Sequence, residues 1–215
     1  MLERLTRALA TRQRYTQTRP RRAAILLPLI GSSASDLSLL LTRRTEALSS
    51  HAGQVAFPGG VCDECDGGLF ANTALREAHE EIGLAREDAS ILGILDDLPS
   101  LKNDMAVTPV VARIAPHLGV DDFRASETEV ARIFAIPLAE LATPENWTTT
   151  HSEWRGKSIA QYSLEHSGER LWGLSAYATL MLLALAAPET TPNLPWFLPE
   201  GRASSSTESD REPFV

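Results

Sequence analysis

Apolar residues in this chain arrive in short runs cut by turn residues, and that pattern allows few folds. "AAILLPLI" (23–30) and "SLLLTRR" (38–44) flank the turn "GSSASD". Runs this short, bounded by Gly, Ser and Asp, read as strands. The same reasoning predicts a strand at 53–60 that ends in a glycine loop, and strands at 90–95, 105–114, 129–136, 147–154 and 157–164. Helical signals are fewer. Residues 72–82 carry a helical period, with Asn72 as N-cap and Gly83 as the C-terminal stop. A helical turn is read around "PLAELA", and a final helix after Ser175, taken as its N-cap, runs until Pro188. Strands, one central helix, more strands and a last helix predict an α/β or α+β sandwich with a mixed β-sheet between helices.

A chain of 215 residues with 43% hydrophobic content suits one domain, placed at 1–187. From Pro188 onward Pro, Ser and Glu dominate, so 188–215 reads as a flexible or loosely docked tail. A formal net charge of -8 argues against a nucleic acid or a membrane surface as partner. The longest apolar run, "LMLLALAA", falls far short of the roughly 20 residues that span a bilayer. The first 22 residues hold seven arginines and one acid, Glu3. That composition suits a transit peptide, but Leu2, Leu5, Ala8 and Leu9 share a face, which favours an amphipathic first helix. Cys62 and Cys65 form a lone C-x-x-C, too few ligands for a zinc ribbon and without the setting of a redox dithiol. They read as incidental thiols of a reducing, cytoplasmic compartment.

The stretch "LREAHEEIGL" (75–84) crowds Glu77, Glu80 and Glu81 at i, i+3 and i+4, which puts all three on one helical face. Leu75, Ala78 and Ile82 take another face and pack inward. Arg76 stands four residues before Glu80 and reaches it. Such like-charge pairs cost a helix only about 0.2–0.5 kcal/mol each, so a solvated acidic face is one reading. The other is a site for a hard divalent cation, whose oxygen ligands come from one rigid turn, with Arg76 orienting a carboxylate.

"REAHEEIGL" resembles the second half of the Nudix box, G-x5-E-x7-R-E-U-x-E-E-x-G-U, with Arg76, Glu77, Ala78, Glu80, Glu81, Gly83 and Leu84 in place. The front half departs: counted back from Arg76, the expected glycine falls on Cys62 and the expected glutamate on Gly68. The loop is longer, so no role is carried over to Asp63, Glu64 or Asp66. A stretched box is similar to that of the coenzyme A pyrophosphatases. So is "LLTRRTEALSSHAGQVAFPGG" (40–60), which matches L-L-T-x-R followed by G-x3-F-P-G-G. Thr45 and Ser49 depart from that pattern, where Ser or Ala and Arg are usual. "AVTPVV", "EVARIFAIPL" and "LWGLSAYATL" extend the resemblance over about residues 22–186.

The resemblance implies a Nudix-type α/β/α sandwich that hydrolyses the diphosphate of coenzyme A or a derivative, giving 3′,5′-ADP and 4′-phosphopantetheine or its acyl form. It implies Mg²⁺ or Mn²⁺ on Glu77, Glu80 and Glu81, with Arg76 beside them in the catalytic set. It places Arg44, Gly59 and Gly60 against a small-molecule substrate. Glu129 is a further carboxylate candidate, equally readable as an exposed strand charge. His51 and His79 read as ordinary histidines, and Trp172 and Tyr177 as core aromatics. A homodimer is compatible with all of this. The rival readings are a hydrolase of ADP-ribose or NADH, and a catalytically silent nucleotide-binding module.

Overall fold

The computed structural model describes residues 1–33, 35–47, 51–100, 104–154 and 157–190. Helix α1 (Leu2–Thr11) leads into β1 (Arg21–Ile30) and β2 (Ser38–Arg44). Two short strands follow, β3 (Val55–Ala56) and β4 (Gly59–Val61), then helix α2 (Phe70–Ile82). Strands β5 (Ala89–Ile94), β6 (Leu98–Ser100), β7 (Met105–Ile114) and β8 (Val130–Pro137) come next, and α3 (Leu138–Leu141) is a single turn. The chain continues through β9 (Trp147–Trp154), β10 (Lys157–His166), β11 (Glu169–Trp172) and α4 (Gly173–Ala186).

The main sheet runs β3-β2-β1-β7-β5, with β4 beside β1, β6 beside β7 and β8 beside β2. β1 and β7 are parallel, whereas the other pairs are antiparallel, so the sheet is mixed. This central pair is buried on both faces, which is why both strands read as nearly unbroken apolar runs. Each carries a proline that donates no ladder bond, at the point where the strand changes partners. β1 passes from β4 at Ala23–Ile25 to β2 at Leu29–Ile30, and Pro28 falls between. β7 passes from β6 to β5 between Val107 and Val110, and Pro109 falls between.

Alternation along β2 separates two cores. Leu40 joins Ala24, Leu26, Val110 and Ala112 beneath α2, while Leu39 and Leu41 join Leu27, Leu29 and Val111 beneath α1 and α4. A second, antiparallel sheet of β9, β10 and β11 closes the α4 side. The architecture is thus a mixed α/β sandwich. α1 buries Leu5 and Leu9, with Leu2 and Ala8 half-buried, so its leucine stripe lies against α4 and β5.

Several expectations are corrected. The strand at 53–60 is two pieces, because Pro58 interrupts the pairing and Gly59–Gly60 continue as strand beside β1 rather than as a loop. α2 starts at Phe70 with Leu69 as N-cap; Asn72 lies inside it and its amide donates to Asp66 O at 3.0 Å. α4 starts at Gly173 with Trp172 as N-cap, and the Ser175 hydroxyl donates to Val55 O instead of capping the helix. Trp172 is 41% exposed, because β11 alternates and turns that position outward. Tyr177, by contrast, packs against the core as expected, half-buried with its hydroxyl bonded to Ala160 O. β6 and β11 carry too few residues to stand out as apolar runs. The expected tail opens with a 3-10 turn at Pro188–Thr190, where Glu189 pairs with Arg4 at 3.1 Å. Residues 191–215 and Ser49 lie outside the described residues.

Candidate active site

α2 is amphipathic because Leu75, Ala78 and Ile82 sink into the core beneath the sheet, leaving its other face to the acids. Burying Leu75 and Ile82 contributes about 1.5–3 kcal/mol each. Gly83 stops the helix in the left-handed conformation, with φ 70°.

The three glutamates do not share one environment. The Glu81 side chain is 4% exposed and that of Glu77 is 16% exposed, but that of Glu80 is 55% exposed. Positions i and i+4 face β4, while i+3 turns toward solvent. The single acidic face is therefore corrected to an inner pair, Glu77 and Glu81, and an outer Glu80.

β4 lies against this pair. A Cβ built at Gly60 would overlap the Glu77 carboxylate, and one at Gly59 would sit 2.7 Å from Ile25 Cα. The Gly59 N–H also donates to the Glu81 carboxylate. Both glycines are needed for close approach, as expected, but what approaches is the protein's own acids and β1 rather than an open loop. Neither has a positive φ.

Arg76 organises the outer side. Its Nη1 donates to Glu77 at 2.9 Å and to Glu80 at 3.3 Å, and its Nη2 donates to Val61 O at 3.2 Å. Its Nε and Nη2 grip Asp66 at 3.0 and 3.2 Å. Asp66 is buried in the 3-10 turn Glu64–Asp66, and also accepts from Thr73 Oγ1 at 2.8 Å and Asp63 N at 2.9 Å. The Arg76 bond holds the Asp66 carboxyl down to about 2. Asp66 raises the Arg76 pKa in return. Sequence reasoning missed Asp66, since box spacing put the acidic slot on Gly68. The signal was present in "CDECD", and the longer loop lets an acid ten residues before Arg76 fold back onto it.

Arg44, at the end of β2, reaches Glu81 at 3.6 Å. Its Nε is buried and has no hydrogen-bond partner among the described residues. Despite this cation, burial pushes Glu81 up to about 8, helped by the nearby charges of Glu129 and Glu77. Glu77 is raised by burial first, then by Glu80 and Glu129, against Arg76. Burial outweighs Arg44 because the ion pair is long and both partners have been taken from water. Glu129 thus joins the field of the site, although its side chain is exposed. His51 and His79 do not join the cluster: His51 is exposed beside Gln54, and His79 faces Leu84 O at the helix end. Cys62 and Cys65 are free thiols with raised pKa values, Cys62 chiefly through burial, so nothing activates them.

A NUDIX domain family model matches residues 19–161. The chain belongs to the Nudix family. It is 40% identical over 156 residues to the uncharacterised Nudix hydrolase NudL of Photorhabdus laumondii, covering 73% of this chain and 80% of that protein. It is 36% identical over 190 residues to the mitochondrial coenzyme A diphosphatase NUDT8 of Homo sapiens, covering 87% of this chain and 78% of that protein. A Nudix hydrolase from M. smegmatis, RenU, aligns with a TM-score of 0.45 and 24% identity over 56% of this chain and 72% of that one. Nudix hydrolases generally use divalent ions such as Mg²⁺ or Mn²⁺ and bind nucleotide derivatives. No helix among the described residues is long and apolar enough to cross a membrane.

The donor set suits such an ion. Two desolvated carboxylates, Glu77 and Glu81, repel each other across one helical turn, with Glu80 and Glu129 near. Oxygen donors of this kind match a hard cation, which would relieve the repulsion. Among the described residues no three acidic, histidine or cysteine side chains already enclose a cation position. Arg76 holds Glu77 and Glu80, and Arg44 faces Glu81, so an ion bound there would replace part of these contacts.

Proposed function

We propose that this Nudix hydrolase cleaves the diphosphate linkage of coenzyme A or a derivative, releasing 3′,5′-ADP and 4′-phosphopantetheine or its acyl form. The observation that carries the reading is the pairing of opposites at one spot. Desolvated Glu77 and Glu81 lie against Gly59–Gly60, and the Arg44 guanidinium lies beside them, 3.6 Å from Glu81. Carboxylates without enough cation, next to a guanidinium, suit a metal–diphosphate. The coenzyme A assignment draws on the likeness to NUDT8 and on the "LLTRR" and "FPGG" segments.

Glu77 and Glu81 would hold Mg²⁺ or Mn²⁺, with Glu80 completing the set. A divalent ion there supplies charge neutralisation of the diphosphate and acidification of water. Arg76 positions Glu77, and Asp66 fixes Arg76 so that the carboxylate keeps its aim when the ion arrives. The Gly59 N–H holds Glu81. Arg44, whose side chain is 22% exposed, would bind a non-bridging phosphate oxygen. The buried wall behind Glu81 excludes water and strengthens each of these interactions.

Incubation of the purified chain with coenzyme A and Mg²⁺, followed by chromatography, should yield 3′,5′-ADP. Faster turnover of ADP-ribose or NADH would replace the substrate assignment. No turnover of coenzyme A, ADP-ribose or NADH, with tight binding of one of them by calorimetry, would make the chain a silent binding module.

A further inference from the structure

The family match begins at residue 19, but the chain before it is built into the catalytic half of the fold. After α1, the backbone runs along the link between β5 and β6. Arg12 donates to Ile94 O and pairs with Asp96, and Tyr15 N donates to Asp96 at 2.7 Å. Gln17 brackets Asp97, its backbone N–H on the carboxylate and its amide on the carbonyl, both at 2.9 Å.

Asp97 is fully buried. Its carboxylate also accepts from Thr108 Oγ1 at 2.7 Å and Arg22 Nη2 at 3.1 Å, with Arg14 Nη1 at 3.7 Å. A buried carboxylate holds its cations in place, since releasing one leaves the charge uncompensated. Both guanidiniums lie over the same ring: those of Arg14 and Arg22 stand 5.2 and 4.5 Å from the centroid of Phe70. Arg14 Nη1 finds no hydrogen-bond partner among the described residues, so it depends on the Asp97 charge and the ring face.

Phe70 is the first residue of α2, and the N-cap Leu69 makes no side-chain capping bond. Asn72 and Thr73 tie the first turn to Asp66, and the Arg14–Phe70–Arg22 stack holds the residue that opens it. Arg22 also accepts Cys62 N on its carbonyl at 3.0 Å, so it ties down both ends of the connection from β4 to α2. Arg76, Glu77 and Glu81 follow Phe70 on one continuous helix.

We propose that Asp97 is a positioning residue for the catalytic turn. Through Arg14 and Arg22 it clamps Phe70, fixes the start of α2, and so sets Glu77 and Glu81 against Gly59–Gly60. The arginine-rich N-terminal segment is the strap that completes the clamp. The inference rests on Glu77 and Glu81 as cation ligands, but amide exchange in α2 reports the clamp independently of that reading.

The full chain is compared with Asp97→Asn, Phe70→Leu and Arg14→Gln. The last two carry the test if loss of the buried charge unfolds the first. Three quantities are read: Mn²⁺ affinity from the resonance of the free ion, amide exchange in α2 against α4, and turnover of coenzyme A. Mn²⁺ binding is expected to weaken about tenfold. Exchange in the first turns of α2 should quicken about tenfold while α4 is unchanged, and kcat should fall with KM nearly constant. Folded variants with wild-type Mn²⁺ affinity and wild-type α2 exchange would overturn the proposal. Equal quickening of α2 and α4 would overturn it too, because the network would then brace the fold in general. A wild-type chain that binds no Mn²⁺ would refute the cation reading, and the contrast between the helices would decide the clamp alone.

Discussion

Helices α2 and α4 pack on opposite faces of one sheet and are held there by different forces. α4 is apolar nearly all round; Leu180, Leu182 and Leu183 vanish into the core. α2 buries one stripe and is aimed by polar contacts on the other: Asp66 on Arg76, Arg76 on Glu77, Gly59 on Glu81, and the Arg14–Phe70–Arg22 stack. Apolar burial is strong but non-directional. Hydrogen bonds and ion pairs add less net stability but set angles and distances. On the proposed function, the chemistry lies on the aimed helix, while the greasy one contributes bulk stability.

The sharpest way to break this contrast is Glu81→Gln. Turnover of coenzyme A should fall by on the order of a thousandfold, while circular dichroism shows an intact fold. A rate within a few-fold of wild type would remove the aimed helix from the chemistry. The adjacent glycines separate aiming from stability at finer grain. Gly60→Ala displaces a flexible carboxylate, so turnover should drop about a hundredfold through misplacement of Glu77, with a small change in melting temperature. Gly59→Ala strikes the backbone of β1 and should instead destabilise the fold by about 1–3 kcal/mol. The same stability effect from both would mean that Gly60 serves only the sheet.

On the greasy side the expected effect on activity is smaller still. Leu182→Ala should destabilise the fold by about 2–5 kcal/mol, measured by urea unfolding, while kcat per folded molecule stays near wild type. A matching loss of kcat would show that α4 also aims the site.

Legibility in the sequence follows the same divide. The double-sided burial of β1 and β7 was visible as apolar runs, and the i, i+4 spacing announced Glu77 and Glu81 on a helix stopped by Gly83. What stayed hidden were contacts between segments distant in the chain. Asp66 was masked because its loop departs from the box spacing, and the Asp97 clamp joins residues 14, 22, 70 and 97, which no local period links. The helix starts were misplaced because Asn72 and Ser175 look like caps but spend their side chains on Asp66 O and Val55 O. Glu80 was grouped with its neighbours because spacing gives a face, not the depth at which each carboxylate lies.

The smallest effect is a slope with pH. Glu81 has its folded pKa raised from 4.5 to about 8, so the folded chain holds that proton more tightly than the unfolded one. Its contribution to stability is full below the unfolded value and is lost as pH climbs toward about 8. Glu77, also raised, acts in the same direction. Asp66 is lowered to about 2, so its contribution is complete above 3.8 and adds no slope in that window. The urea midpoint of chelator-treated protein should therefore decline between pH 5 and pH 8. Glu81→Gln should flatten the decline, since it removes the titrating group. Excess Mg²⁺ should flatten it as well, because the ion favours the carboxylate that burial opposes. Leu182→Ala should lower every point and leave the slope alone. A slope indifferent to Glu81 but changed by Leu182 would reverse the roles assigned to the two helices.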